Sequence, residues 1–250
     1  MKLRFTIFAL LFFVFRFFAQ VNNYFVIEYN YTNNLNYTNT KALLLYNDSC
    51  SVFKSFLKVE EEYEPKLQGN NIGIGGGLVN TYQENFLSKN KLFSYEALDE
   101  DIIKIEEEMP KFAWVFGSEV MKIGKFECNK ATTSFRGRTY IAWYTTEIVC
   151  NFGPWKFNGL PGLIIDIEDV TKTYRWSYVQ HNIEGKKNIE IEYTNFQTLM
   201  LKSYMAKRME SLEKLRARVR TAMPRGTEFK IPKNSRRGLE VVFEWEKLDE

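Results

Sequence analysis

The sequence predicts a mainly β (α+β) protein: a curved antiparallel sheet or open half-barrel, with one long amphipathic helix near the C-terminus. Apolar and polar residues alternate with a period of two along most of the chain, which is typical of half-buried strands. Near the C-terminus the period changes to three and four, which is typical of a helix. The chain has 250 residues, of which 45% are hydrophobic and 26% charged. These proportions exclude a disordered, collagen-like or multi-span membrane protein.

The first nineteen residues predict a signal peptide. Lys2 and Arg4 form a basic start, the run Phe5–Phe15 is apolar except for Thr6, and Ala19 is a small residue before the expected cleavage point. An apolar run of this length is too short to span about 30 Å of hydrocarbon as a helix, but it fits the apolar part of a signal peptide. We therefore expect residues 1–19 to be removed and residues 20–250 to form a single β-rich domain without a transmembrane anchor. The protein is expected to be exported: periplasmic, outer-membrane-associated or secreted.

The charge balance argues against nucleic acid as a partner. The full chain has 34 Lys and Arg residues against 31 Asp and Glu residues. Removal of Lys2, Arg4 and Arg16 with the signal peptide leaves 31 of each sign. Because binding to phosphates depends on a surplus of positive charge, a neutral mature chain predicts no nucleic-acid partner.

Period-two alternation places the strands in order along the chain. The predicted strands are Tyr24–Thr32, Lys41–Tyr46, Ser51–Leu57, Thr81–Leu87, Lys91–Glu96, Glu119–Ser134, Arg138–Val149, Gly162–Glu168, Thr173–Val179 and Leu239–Lys247. The predicted turns are Asn47-Asp48-Ser49, Ser88–Asn90 and Arg136-Gly137, where glycine adopts a positive φ at little cost.

The glycine-rich stretch Glu60–Asn80 lacks the Lys-Ser/Thr pair of a phosphate-binding loop, so we interpret it as a surface loop.

One helix is predicted over Asn195–Ala222, with Pro224 marking its end. Its apolar stripe recurs at intervals of three and four: Leu201, Met205, Met209, Leu212, Leu215, Val219 and Met223. The other face is strongly basic, which would permit an interfacial contact with a membrane. We favour packing of the stripe on the sheet, because an antiparallel sheet this apolar needs one face covered.

The stretch Asn151–Gly162 is expected to be a shaped connection between strands. Gly153-Pro154-Trp155 interrupts the alternation, and Pro161 with Gly162 fits the two central positions of a type II turn. A buried strand is expected to begin at Leu163.

Residues Lys122–Asp169 resemble the GLPGLI family of exported proteins from Gram-negative bacteria. The name corresponds here to Gly159, Leu160, Pro161, Gly162, Leu163 and Ile164. The other matching positions are Ile123-Gly124, Cys128, Lys130, Ala131, Gly137-Arg138, Tyr140, Ala142-Trp143-Tyr144 and Gly153–Phe157. The resemblance implies export and a shared architecture, and it implies no particular activity. This chain departs from the family at Ile148-Val149-Cys150, where the family usually has Ile-Pro, so the strand is free to run longer here.

Three basic residues near one turn are candidates for binding an anion. Lys130, Arg136 and Arg138 would together form a clamp for a carboxylate or phosphate group. The alternative, which we favour, is that they pair with Glu127 and Glu147 on a solvated face of the sheet.

Aromatic residues are candidates for an apolar or extended ligand. Trp143 and Tyr144 point to opposite faces of a strand, so they cannot share one pocket, and we expect core packing for both. Trp155 lies in the irregular connection, which makes it the better candidate for an exposed contact.

The sequence contains no recognisable catalytic or metal-binding set. The single His181 has no nucleophile motif around it, and no cysteine pair has metal-ligand spacing. Of Cys50, Cys128 and Cys150, at least one stays unpaired, and a predicted hairpin places Cys128 opposite a residue near Tyr144 rather than Cys150. We therefore predict no metal and no cofactor. The acidic runs Glu60–Glu64 and Glu106–Glu108 are interpreted as solvated.

These observations favour a non-catalytic binding or assembly protein of the cell envelope, whose partner is an apolar or extended ligand or another envelope protein. An alternative is a hydrolase using two of the carboxylates Glu127, Glu147, Asp166 and Asp169. Burial on its apolar strand would raise the pKa of Asp166. A third alternative is a purely structural envelope component.

Overall fold

The computed structural model describes residues 24–55, 81–86, 89–185, 196–222, 236 and 238–246. The predicted signal peptide, the predicted loop Glu60–Asn80 and Pro224 lie outside these residues. The described strands are β1 (Tyr24–Asn33), β2 (Thr38–Tyr46), β3 (Cys50–Ser55), β4 (Thr81–Phe86), β5 (Lys91–Leu98), β6 (Asp101–Glu108), β7 (Val115–Ile123), β8 (Phe126–Phe135), β9 (Arg138–Thr145), β10 (Leu163–Asp169), β11 (Tyr174–Gly185) and β12 (Gln197–Met200). The helix α1 spans Leu201–Ala222.

All described strands belong to one open sheet. Its order is β12-β6-β5-β4-β3-β2-β1-β11-β10-β9-β8-β7. Strands β1 to β6 form one antiparallel meander and β7 to β11 a second, and the two meet where β1 pairs with β11. Strand β12 pairs in parallel with β6 at one edge, and β7 is the other edge. The predicted mainly β fold with one helix near the C-terminus is confirmed.

The prediction of a single strand over Glu119–Ser134 is wrong. A turn at Gly124 and Lys125 divides the segment into β7 and β8, which pair antiparallel from Ile123 opposite Phe126. Gly124 has a φ of 58°. A positive φ at the first turn position is the requirement of a type II′ hairpin, which glycine meets without strain.

The predicted strand Leu239–Lys247 is also wrong over its described part. The backbone N–H groups of Val241 and Val242 both donate to the carbonyl oxygen of Arg136, at 2.8 and 3.1 Å. Phe243 is buried against β6 and α1. This segment, residues 238–246, is therefore an irregular strap fastened across the β8–β9 turn, and we call it the C-terminal strap.

Helix α1 begins at Leu201 and not at the predicted Asn195, because β12 occupies the preceding residues. Leu201 and Tyr204 are buried with Ile103 and Ile105 of β6. Leu212 is 38% exposed, so the prediction that the whole apolar stripe packs on the sheet is wrong beyond the first turns. Among the described residues, no helix has the length and apolar character that crossing a membrane requires.

The main core lies on one face of β1, β2 and β8 to β11, which we call the inner face. Tyr29 is fully buried there and donates a hydrogen bond from its hydroxyl to the carbonyl oxygen of Ile164, at 2.8 Å. Ala142 and Ile167 pair across β9 and β10 on the same face. These aromatic and branched side chains form a packed surface, on which the β9–β10 connection lies.

Candidate functional site

The β9–β10 connection, residues 146–162, folds inward onto the sheet. The N–H of Gly153 donates to the carbonyl oxygen of Phe157 at 2.7 Å, and that of Gly159 donates to Asn151 at 3.0 Å. These bonds close a small loop whose tip is Trp155, which has a φ of 52°. Trp155, Lys156 and Phe157 are all buried. The prediction of Trp155 as an exposed contact is therefore wrong.

Aromatic stacking fixes the tip of this loop. The rings of Trp155 and Trp176 lie nearly parallel, with centroids 6.2 Å apart. Phe157 meets Tyr140 edge to face at 4.8 Å. The indole N–H of Trp114 donates to the carbonyl oxygen of Asn158 at 2.8 Å. Large aromatic rings packed in this way contribute strongly to core stability, so the connection is a structural plug and not an open aromatic groove.

The Gly-Leu-Pro-Gly-Leu-Ile segment anchors the end of the connection. Gly159 has a φ of 85°, which favours glycine. Gly162 does not have the positive φ that the predicted type II turn requires. Glycine is needed there because a Cβ would lie 2.0 Å from the carbonyl oxygen of Thr145. The N–H of Leu163 donates to Ile148 at 3.0 Å as β10 begins.

A buried ion-pair cluster joins the plug, the β8–β9 turn and the C-terminal strap. Lys156 pairs with Glu107 of β6 and lies 2.8 Å from the carboxylate of Glu240. Arg136 pairs with Glu240, and its Nη2 lies 2.8 Å from Glu107 Oε2, close enough for an ion pair but not aligned as a hydrogen bond. Its Nε also donates to Glu244 at 2.9 Å. The prediction that Glu106–Glu108 is solvated is therefore wrong for Glu107.

The charges in this cluster hold one another ionised. Burial by itself lowers the pKa of Lys156, but the carboxylates of Glu240 and Glu107 outweigh it and hold that pKa above its ordinary value. Burial by itself raises the pKa of Glu240, and the adjacent Lys156 and Arg136 hold it below its ordinary value. The cluster therefore ties four separate parts of the chain together, namely β6, the β8–β9 turn, the plug and the C-terminal strap, with charges that keep their ionised forms.

The other predicted anion-binding residues lie elsewhere and have different partners. Arg138 donates to Asp169 at 3.0 Å and to the carbonyl oxygen of Gly238 at 2.8 Å. Lys130 donates to Glu119 at 2.8 Å. Thus the three basic residues do not converge on one exposed clamp. These contacts are also not with Glu127 or Glu147, the partners that the alternative interpretation assigned to the three basic residues.

Two of the four carboxylates considered for hydrolysis, Asp166 and Asp169, have internal partners, whereas the Glu147 carboxylate accepts from the backbone N–H of Glu127 at 3.0 Å. Asp166 accepts two hydrogen bonds from Arg175, at 2.8 and 3.2 Å. Burial raises its pKa, and Arg175 opposes that rise. Asp169 accepts from the N–H groups of Thr173 and Tyr174, at 2.7 and 2.6 Å. Asp166 is thus committed to an arginine and Asp169 to the β10–β11 turn.

The remaining candidates have structural surroundings. Trp143 is half-buried opposite Lys130 and Asp166, whereas Tyr144 is buried opposite Ile164. The hydroxyl of Tyr178 lies 2.7 Å from Nδ1 of His181. Within the described residues, no group of acidic, histidine and cysteine side chains is arranged to hold a metal.

No disulfide joins the three described cysteines, Cys50, Cys128 and Cys150. Burial raises the pKa of the Cys150 thiol to about 12. The register places Asn129 opposite Tyr144, so the adjacent Cys128 lies near Tyr144, as predicted. A thiol with so high a pKa is a poor nucleophile at neutral pH.

Strand β7 was not predicted as a separate element. Within the described residues it pairs on one side with β8 and, as the last strand in the sheet order, leaves its other side as an edge. Four large apolar side chains are exposed on it: Val115 at 67%, Phe116 at 57%, Val120 at 55% and Met121 at 41%. We call these four residues the β7 patch. In the sequence, Gly124 is the residue that marks the turn between β7 and the rest of the predicted strand.

Comparison with known proteins identifies a short segment that matches a protein family and a fold shared with solved structures. Residues 136–166 match a family described as "Protein of unknown function (Porph_ging)". The matched range contains the β8–β9 turn, the plug and most of β10. No curated protein matches the chain.

Solved structures with a similar fold include two crystal forms of PNGF-II. The form in space group P21 superposes with a TM-score of 0.53 at 15% identity, over 76% of this chain and 34% of that one. The form in space group C2 gives 0.52 at 15% identity, over 75% and 33%. This chain thus spans about a third of the length of PNGF-II, and at this identity the likeness concerns the fold alone.

Proposed function

We propose that this is an exported, non-catalytic binding or assembly protein of the cell envelope, which holds an extended segment of a protein partner along β7. The observation that carries the proposal is the β7 patch on an unpaired sheet edge. An edge strand offers a row of backbone N–H and C=O groups to an added strand, and natural proteins usually protect such edges. Added strands gain affinity from main-chain hydrogen bonds and specificity from neighbouring side chains.

The rest of the sheet is suited to act as a rigid support for that edge. The plug and the buried ion-pair cluster lock β9, β10 and the C-terminal strap together behind β8. A rigid edge costs less entropy on binding than a mobile one, because the strand is already extended. We propose accordingly that the Gly-Leu-Pro-Gly-Leu-Ile segment, and membership of the GLPGLI family, concern the stability of this support and not a reaction.

Export is part of the proposal and rests on the N-terminal sequence. The basic start, the short apolar run and Ala19 are the features of a cleavable signal peptide. A neutral mature chain with an apolar edge fits a protein partner in the envelope better than a polyanion.

Binding is favoured over hydrolysis by the surroundings of the buried acids. Asp166 is bonded to Arg175 and Asp169 to Arg138 and two backbone N–H groups. A general acid or base needs a carboxyl group within reach of substrate, whereas these groups already have internal partners.

The test is a crosslinking pull-down from intact envelopes, with both proteins and lipids identified. The bait is the wild-type chain, a Phe116→Lys/Val120→Lys variant, and a Val149→Lys/Val170→Lys control whose two valines are exposed away from β7. The expected result is a discrete protein adduct with the wild type and the control, and its loss with the β7 variant. Equal adducts from all three chains, or turnover of a metabolite by the purified mature chain, would overturn the proposal.

A further inference from the structure

The β7 patch has a symmetric pattern about its centre. Reading outward from Ser118, the apolar residues are Phe116 and Val120 at two positions on either side, and Val115 and Met121 at three. The residues immediately beside Ser118 are Gly117 and Glu119. A strand with this pattern is complementary to itself when two copies run antiparallel.

We infer that the partner strand on β7 is β7 of a second copy of this chain, paired antiparallel about a two-fold axis at Ser118. This inference rests on the proposed function of β7 as a protein-binding edge. In that register Phe116 lies opposite Val120 of the other copy, and Val115 lies opposite Met121. Each of the four exposed apolar side chains then lies beside one from the other copy, as an isologous interface requires.

The charges near β7 are compatible with this register. Glu119 is held by Lys130 of its own chain, at 2.8 Å. Its opposite residue in the second copy would be Gly117, and Glu119 Oε2 of that copy lies over this glycine, 2.5 Å from where a Cβ would stand. The two Glu119 carboxylates therefore both lie near the axis, and each is balanced by the lysine of its own chain.

The symmetry of the pairing limits the assembly to two copies. The register of β7 against β8 shifts between Phe116 and Val120, so the stretch at the axis is irregular. Main-chain pairing with the second copy is therefore expected at the two ends of the patch, Val115–Phe116 and Val120–Met121, where β7 also pairs with β8. Pairing of β7 with itself uses the same edge of both copies, so the dimer is closed and offers no further β7 edge for growth.

The opposite edge of the sheet does not offer the same pairing. Strand β12 has four residues and runs directly into α1. It also lies parallel to β6, its only neighbour in the sheet order. An edge this short, ending in a helix, gives few main-chain groups to a second copy.

The first test is the mass of the purified mature chain by light scattering, from low micromolar to submillimolar concentration. The expected result is a dimer that dissociates on dilution. Phe116→Lys/Val120→Lys should lose the dimer, because four lysines would be buried at the interface, while Val149→Lys/Val170→Lys should keep it. A wild-type chain that stays monomeric throughout overturns the inference.

The second test fixes the register. Directly opposite residues in antiparallel strands have Cα atoms about 4.5–5.5 Å apart, within the range of a disulfide. Ser118→Cys should therefore form a covalent dimer on mild oxidation, whereas the wild type and Ser203→Cys, exposed on α1, should not. Absence of the Ser118→Cys crosslink, or equal crosslinking of Ser203→Cys, overturns the two-fold pairing.

These outcomes separate the inference from the proposed function. A monomeric chain whose envelope adduct is lost in the β7 variant would overturn the second copy as partner and support β7 as a binding edge for another protein. A dimer that is unchanged by the β7 substitutions would overturn both.

Discussion

Residue 162 has no room for a side chain. A Cβ there would lie 2.0 Å from the carbonyl oxygen of Thr145 and 2.8 Å from its carbonyl carbon. Both are backbone atoms of β9, which cannot move without breaking the pairing of β9 with β10. We therefore expect Gly162→Ala to lower the free energy of unfolding by about 2 kcal/mol or more, the cost typical of overpacking.

Urea unfolding at neutral pH measures that change. Gly238→Ala is the matched control, because a Cβ at Gly238 meets nothing closer than 4.0 Å and its φ is not positive. The control should stay within about 0.5 kcal/mol of wild type. Equal unfolding midpoints for Gly162→Ala and wild type would contradict the close approach.

Lys156 is buried between two carboxylates, so its removal leaves charge without a partner. We expect Lys156→Met to destabilise the protein by about 3–5 kcal/mol, because Glu107 loses its buried lysine and Glu240 keeps only Arg136. The double variant Lys156→Met/Glu107→Gln removes one of the stranded charges and should recover part of that loss. Denaturant unfolding of both variants measures the loss in the free energy of unfolding and its recovery. If the double variant is less stable than Lys156→Met, the cluster does not act as described.

The ion-pair cluster also predicts how stability depends on pH. The pKa of Glu240 is held below its ordinary value of 4.5. A carboxyl whose pKa is lower in the folded state stabilises the fold above its unfolded-state pKa and loses that contribution as pH falls through the folded-state pKa. The stability difference between wild type and Glu240→Gln should therefore be constant near neutral pH and shrink below pH 4.5. A difference that stays constant in acid, in thermal unfolding across that range, would exclude the contribution.

Some roles at the residue scale could be predicted from the sequence and others could not. Gly137 has the predicted positive φ, at 84°. The burial of Glu107 was not predictable from its acidic run, because its partners Lys156 and Glu240 lie far along the chain. Trp155 was predicted to be exposed for the same reason. An irregular connection usually lies on the surface, and nothing local indicates that this one turns inward onto Trp176.

At the scale of elements, the local pattern located most strands, but it missed β6 and β12 and read β7 and β8 as one strand. Alternation continues from β7 into β8, so only Gly124 marks the hairpin, without the Asn-Gly or Asp-Gly pair that usually signals one. The alternation in Leu239–Lys247 predicted a strand, yet that segment bonds to Arg136 and buries Phe243 without joining the sheet. Alternation of apolar and polar residues indicates that one side of a segment is buried, and this also holds for the irregular C-terminal strap.

Helix α1 was predicted by its apolar period, but the period does not say how much of the helix docks. Leu201 is 6% exposed and Leu212 is 38% exposed. We expect Leu201→Ala to cost about 2–5 kcal/mol, as for a buried leucine, and Leu212→Ala to change stability by less than about 0.5 kcal/mol. Chemical unfolding of the two variants compares them directly. Equal costs would mean that the stripe is covered along its whole length.

At the scale of the whole molecule, the mainly β class followed from alternation, but the sheet order did not. The two meanders meet through β1 and β11, strands separated by most of the chain, and no local pattern reports such a pairing. For the same reason the sequence did not show which strands are edges. The exposed edge of β7, on which the proposed function depends, is thus a property of the whole fold.

Site-specific photocrosslinking in living cells tests most directly whether β7 binds another protein chain. A photoreactive residue replaces Phe116 on β7 in one chain and Val170, an exposed turn residue away from that edge, in another. The account predicts a discrete protein adduct from position 116, with a second copy of this chain or with another envelope protein, and none from position 170. No adduct from position 116, or the same adducts from both positions, would contradict it.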